Sequence, residues 1–92
     1  MVDIRFELEE NRSAAYDGEN LIGQCTFIPK NNVWTIIHTG VDPEYAGQGI
    51  AKKLVEKVVE QARVEGVKIH PVCPFAVAEF AKHPEYADVK AN

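Results

Sequence analysis

Long apolar stretches are missing from this chain, and so is a charged-then-apolar leader at its start. No run approaches the roughly 18 residues that a membrane-spanning helix requires, so neither a span nor a signal peptide is expected, and the reading is a soluble, cytoplasmic protein. Cysteine is scarce. Cys25 and Cys73 lie in different contexts with no metal-ligand spacing, which argues against a disulfide framework and against a zinc or other metal site and leaves two reduced thiols. A basic excess is also absent. Lys and Arg number 10 against 14 Asp and Glu, a net charge of −4, and non-specific nucleic-acid binding needs the opposite balance. With 92 residues, 46% of them hydrophobic, residues 1–92 make one domain that can bury a core with little to spare.

What is present begins with alternation. Ile4, Phe6 and Leu8 interleave with Arg5, Glu7 and Glu9, the period-two pattern of a strand with one wet face. Glu10-Asn11-Arg12 reads as a tight turn into Ser13–Tyr16, Asp17-Gly18-Glu19-Asn20 as a turn into Leu21–Ile28, and Pro29-Lys30-Asn31-Asn32 as a third into Val33–Thr39. Four strands in an antiparallel meander follow. Ile50, Leu54, Val58 and Ala62 then recur at helical spacing, widened by Ala51, Val55 and Val59, while Lys53, Glu56, Lys57, Glu60 and Gln61 face water and Gly66 closes the helix. Val67–His70 reads as a fifth strand, parallel to the one before the helix. A second helix starts near Cys73-Pro74 and stops before His83-Pro84. The fold class is α/β, with a mixed, mostly antiparallel five-stranded sheet and two helices.

Between the fourth strand and the long helix stands Gly47-Gln48-Gly49-Ile50-Ala51. A strand that passes through Asp42-Pro43 into glycines and then a helix leaves backbone N–H groups unpaired at the helix start, where an anion is stabilised. Lys52 and Lys53, in the first turns, add positive charge there or simply lie solvated on an exposed face. A Walker loop is excluded because Gly49 is followed by Ile50-Ala51-Lys52-Lys53 rather than Lys-Ser/Thr. The dinucleotide fingerprint is excluded too, for want of its third small residue, its distant acidic residue and a repeating βαβ frame.

The stretch Val41-Asp42-Pro43-Glu44-Tyr45-Ala46-Gly47-Gln48-Gly49-Ile50-Ala51 resembles the acetyl-CoA loop of the GNAT superfamily of N-acetyltransferases, where V-x-P is followed by Q/R-x-x-G-x-G/A and a long helix. Gly49 and Ala51 fit that pattern; Ala46 falls where Gln or Arg is usual, so the loop would rely on backbone amides. Together with His38-Thr39-Gly40-Val41, Pro71-Val72-Cys73-Pro74-Phe75 and His83-Pro84-Glu85-Tyr86-Ala87-Asp88, it resembles the small, single-domain branch of that superfamily over nearly the whole chain. The resemblance implies a minimal acyl-CoA N-acyltransferase fold, acetyl-CoA or CoA as cofactor, and transfer of an acetyl group to an amine of a small molecule or protein. Val41, Gly47, Gln48, Gly49, Ile50, Ala51 and Lys52 would hold the cofactor. The alternatives are a module that binds CoA or acyl-CoA without turnover, and a protein-interaction domain that kept the fold. Full-length relatives carry two helices between their first two strands, where this chain has about three residues. The acceptor site would then be an open groove on the sheet, or a face that a partner chain covers, with a monomer favoured over weak self-association.

Cys73 precedes Pro74 and would sit at the helix N-cap, where the dipole and free N–H groups favour a thiolate; the alternative is a small apolar residue filling a turn. By resemblance it would line the acyl site. Cys25 alternates with Leu21, Gly23 and Phe27 and reads as core. His38, on the face of Trp34 and Ile36, would deprotonate an incoming amine or serve as a hydrogen-bonded structural histidine. His70, at the strand end expected beside the loop, would act as base or cap the edge, and His83 would shape the turn at Pro84. The superfamily's general acid is a tyrosine on the last helix; Phe80-Ala81-Lys82 falls on its frame with Ala81 in the tyrosine's place, leaving Tyr86 as the nearest phenol in sequence.

Overall fold

The computed structural model describes residues 1–92. Strands β1 (Val2–Glu7), β2 (Arg12–Asp17), β3 (Asn20–Lys30) and β4 (Val33–Val41) are followed by α1 (Ile50–Glu65), β5 (Lys68–Pro71) and α2 (Pro74–Lys82). Short 3₁₀ turns occupy Leu8–Glu10, Pro43–Tyr45 and Pro84–Val89. The sheet order is β1-β2-β3-β4-β5, with the first three pairings antiparallel and β4–β5 parallel. No helix is long and apolar enough to cross a membrane.

One face of the sheet carries the core. Ile4 and Phe6 of β1, Cys25 and Phe27 of β3, Trp34 and Ile36 of β4 and Ile69 of β5 pack with Leu54, Val55, Val58, Val59 and Ala62 of α1 and with Ala76 and Phe80 of α2. Phe27 and Trp34 stack at 4.4 Å, with Phe6 5.6 Å from Trp34, so aromatic area replaces the missing bulk of a larger domain. The Ser13 hydroxyl donates to the Leu54 carbonyl at 2.7 Å, tying β2 to the middle of α1. Gly66 (φ +72°) ends the helix and donates to the Ala62 carbonyl, the left-handed cap expected of it. Lys57 and Gln61, expected in water, are half-buried.

The opposite face, which no helix covers, carries a polar cluster. Glu7 there accepts hydrogen bonds from the Arg12 guanidinium at 2.7 Å and the Tyr16 hydroxyl at 2.6 Å, and Arg12 also donates to Gln24 at 2.9 Å. These bonds, the Tyr16 hydroxyl first, hold the Glu7 carboxyl below its usual range.

Two bulges and one turn overturn the expected alternation. Leu8 does not continue β1; it opens the first 3₁₀ turn and is exposed. In β3, Ala15 pairs with Gly23 and Tyr16 with Leu21, so the unpaired Ile22 turns into the core and Leu21 is displaced to the outer face, away from Cys25. In β4, Thr26 pairs with His38 and Phe27 with Ile36, leaving Ile37 unpaired. His38 therefore does not share the face of Trp34 and Ile36; it pairs with Thr26 on the polar side, and Thr39, opposite Cys25, takes the inward place.

Candidate functional site

The site is a consequence of unequal strand lengths. β5 pairs with β4 only from Val33 to Ile36. Beyond that point the chain bends away at Pro71, and the N–H groups of Val72 and Cys73 both donate to the Ile36 carbonyl at 3.0 Å. From Ile37 to Val41 the β4 edge on that side has no strand beside it.

At the far end of that edge, the Pro43–Tyr45 turn leads into Gly47 (φ +80°) and Gly49 (φ +74°). Both glycines are left-handed, and a Cβ built on either meets nothing within 4 Å, so backbone conformation and not crowding requires glycine there. Gly49 caps α1 with no side-chain hydrogen bond, and the first backbone bond into the helix is Lys53 N–H to the Gly49 carbonyl at 3.2 Å. The N–H groups at the start of this 16-residue helix are consequently free, a donor set suited to an anion. The Tyr45 hydroxyl donates to Asp17 Oδ2, which anchors the loop to the end of β2 and raises the phenol's pKa.

Val41, Gly47, Gly49, Ile50, Ala51 and Lys52 line one hollow of about 370 Å³, joined by Tyr45 and Ala46 of the loop. Gln48 does not line it, and neither does Lys53. Its remaining wall is α2, through Phe75 and Glu79. Neither is among the expected site residues; their one-turn spacing on α2 is the only signal of them in the sequence. A loop of free amides opening onto a strand with one unpaired edge fits a long cofactor with an anionic end, such as CoA.

Cys73 is the N-cap of α2, as its place before Pro74 implied, and its sulfur accepts the Ala76 N–H at 3.3 Å. It is buried at 6% exposure and does not line the loop hollow. It stands where β4 and β5 part, with the Thr39 hydroxyl 3.4 Å from its sulfur and 3.5 Å from that of Cys25. Burial first, against that hydroxyl bond, pushes the Cys25 thiol up to about 11.

The histidines go elsewhere. His38 is exposed on the outer face with its ring over Gly40; a Cβ there would meet Nε2 at 2.8 Å, so this glycine makes room for the imidazole. It lines a second hollow of about 280 Å³ with Gln24 and Asp42, and Val41 belongs to both hollows. His70 does not adjoin the glycine loop: it lies on the outer face of β5, in a hollow of about 660 Å³ shared with Ala81 and Lys90. Ala81 lines that hollow and not the loop hollow. Tyr86 is buried, tilted at 60° to Phe80 with ring centroids 5.3 Å apart and stacked 4.9 Å from His83, and lines neither hollow.

Residues 5–89 match the model of a family described as GCN5-related N-acetyl-transferase. Among solved structures, a GCN5-like protein of Staphylococcus aureus is 38% identical with a TM-score of 0.75, the match covering 98% of this chain and 88% of that one. The ribosomal-protein-S18-alanine N-acetyltransferase of Escherichia coli is 17% identical with a TM-score of 0.66, over 77% of this chain and 49% of that one. N-acetylglutamate synthase of Neisseria gonorrhoeae, solved with coenzyme A and N-acetyl-glutamate, is 19% identical with a TM-score of 0.65, over 86% of this chain but 21% of that protein. At those identities the latter two speak for the fold alone. No functionally curated protein matches the chain.

Proposed function

The chain belongs to the GCN5-related N-acetyltransferase family, and from that premise and its cleft we propose that it transfers an acetyl group from acetyl-CoA to an amine presented on the uncovered face of the sheet. The observation that carries this reading is the uncapped start of α1 behind two left-handed glycines, opening on a hollow that continues to the free edge of β4.

Bound there, the cofactor would supply an acetyl group activated as a thioester. The N–H groups from Gly47 through Ala51 would hold the pyrophosphate, with Gln48 contributing backbone only and Lys52 adding charge. Backbone groups of Ile37–Val41 would take the extended arm as a strand takes its neighbour, with Val41 nearest the phosphates and a backbone N–H at the inner end of that edge polarising the acyl carbonyl. Cys73, where the strands part, would lie beside the sulfur. Because His38 of the outer hollow belongs to the same stretch of β4, an amine held there would approach the carbonyl from the opposite face of the sheet. His38, in that hollow, would take the amine's proton. His70 is assigned no part, since it stands in a separate hollow.

A CoA-binding module without turnover is the second reading. It is favoured by the loop hollow's single phenol, Tyr45, being committed to Asp17, which leaves no free side-chain hydroxyl of tyrosine to protonate a leaving thiolate. Calorimetric titration with acetyl-CoA, followed by thiol release with a panel of small amines and lysine peptides, separates the cases. Transfer requires binding with amine-dependent release; the module gives binding alone; no binding defeats both.

A further inference from the structure

Glu79 is a buried carboxylate without a satisfying partner. Its side chain is 5% exposed, and Oε1 accepts no hydrogen bond. The nearest cationic groups are His83 Nε2, 3.4 Å from Oε1, and Lys82 Nζ, 3.8 Å from Oε2; the lysine is 70% exposed. Such a group costs stability unless something else supplies a donor. It also lines the same hollow as the glycine loop.

Resting on the function proposed above, we infer that Glu79 is a positioning residue for the cofactor: its carboxylate accepts a hydrogen bond from an N–H or O–H of the pantetheine arm of acyl-CoA. Charge decides against the phosphates, which a carboxylate repels and which the free amides of α1 already suit. Position decides for the arm. Cys73, at the α2 N-cap, marks the parting of β4 and β5, and Glu79 lies six residues further, about 9 Å along the helix axis. It lines the loop hollow with Val41, the end of the free β4 edge, where the arm with its two amides and hydroxyl would leave the phosphates. The acceptor amine is the other conceivable donor, but its hollow lies across Val41 and does not include Glu79.

The test compares wild type with Glu79→Leu and Glu79→Gln, titrated with acetyl-CoA and with adenosine 3′,5′-bisphosphate, which lacks the arm. Leu removes the acceptor and should weaken acetyl-CoA about tenfold, while the bisphosphate binds as before. Without ligand, its melting temperature should be unchanged or higher, because a buried unpaired carboxylate has become apolar. Gln keeps a neutral acceptor and should weaken acetyl-CoA by about threefold, a value that stands even if the Leu variant fails to fold. Wild-type affinity for acetyl-CoA in the Gln or the Leu variant overturns the inference, as does equal weakening of both probes. So does a lowered melting temperature with unchanged affinity, which would make Glu79 a structural partner of His83. Failure of the wild-type chain to bind acetyl-CoA defeats the proposed function, and this inference with it.

Discussion

The Thr39 hydroxyl lies 3.4 Å from the sulfur of Cys73, at the point where β4 loses its parallel neighbour. The same hydroxyl donates toward Cys25 at 3.5 Å, so one side chain links a core thiol to the thiol that caps α2. The two cysteines differ in what surrounds them. Cys25 is enclosed by strands and α1, whereas Cys73 stands at the inner end of the free β4 edge.

Alkylation with iodoacetamide at neutral pH should therefore label Cys73 before Cys25, slowly because both are buried, and saturating acetyl-CoA should slow the labelling of Cys73 alone. Mass spectrometry of the labelled peptides reads this directly. Preferential labelling of Cys25 would count against a cofactor arm that reaches Cys73.

Gly49 is held at φ +74° at the head of α1, with open space where a side chain would begin. Gly49→Val should cost on the order of 1–2 kcal/mol of stability through the left-handed conformation, with little change in the far-ultraviolet circular dichroism. Its larger effect should be on acetyl-CoA, because a side chain there stands between the amides and the phosphate. An unaltered calorimetric dissociation constant would remove the loop from the site.

Cys25 gives the fold an alkaline weakness. Its thiol is raised in the native state to about 11 from the ordinary 9.0, so the folded chain holds this proton more tightly than the unfolded one. That contribution is fully present below pH 9, and is lost as pH rises from about 9 through about 11, by roughly 2–3 kcal/mol. Urea unfolding across that window should show the decline in the native chain and a flatter profile in Cys25→Ala, whose stability is lower throughout because a cavity replaces the sulfur. Parallel profiles would place the alkaline loss on other groups.

Sheet order and both helices were legible because each depends on local pattern: turns of Asn, Gly and Pro, a helical stripe from Ile50 to Ala62, and Cys73-Pro74 as a helix start. The loop hollow was legible for the same reason, since a glycine's freedom and a helix's free amides are properties of one short segment. The side chain facing of β4 was not. A bulge at Ile37 reverses the face of every residue beyond it, so His38 went outward and Thr39 inward, and nothing in the composition of Val33–Thr39 announces an extra residue against β3. Leu21 failed likewise, through the bulge at Ile22. Glu79 was invisible because its neighbours are brought together by chain packing; on α2 alone it reads as one more solvated glutamate.

The parallel pairing of β4 with β5 has a kinetic meaning as well. The three antiparallel pairings of the meander close across short turns, but Val33 meets Lys68 only after the whole of α1 has formed and folded back. Loops of that length close at greater entropic cost, and contacts distant along the chain form late. β5 and α2 are therefore expected to join the fold last. The cleft lies between this segment and the meander, so a molecule bound there would clasp together two parts of the chain that meet only through long-range contacts.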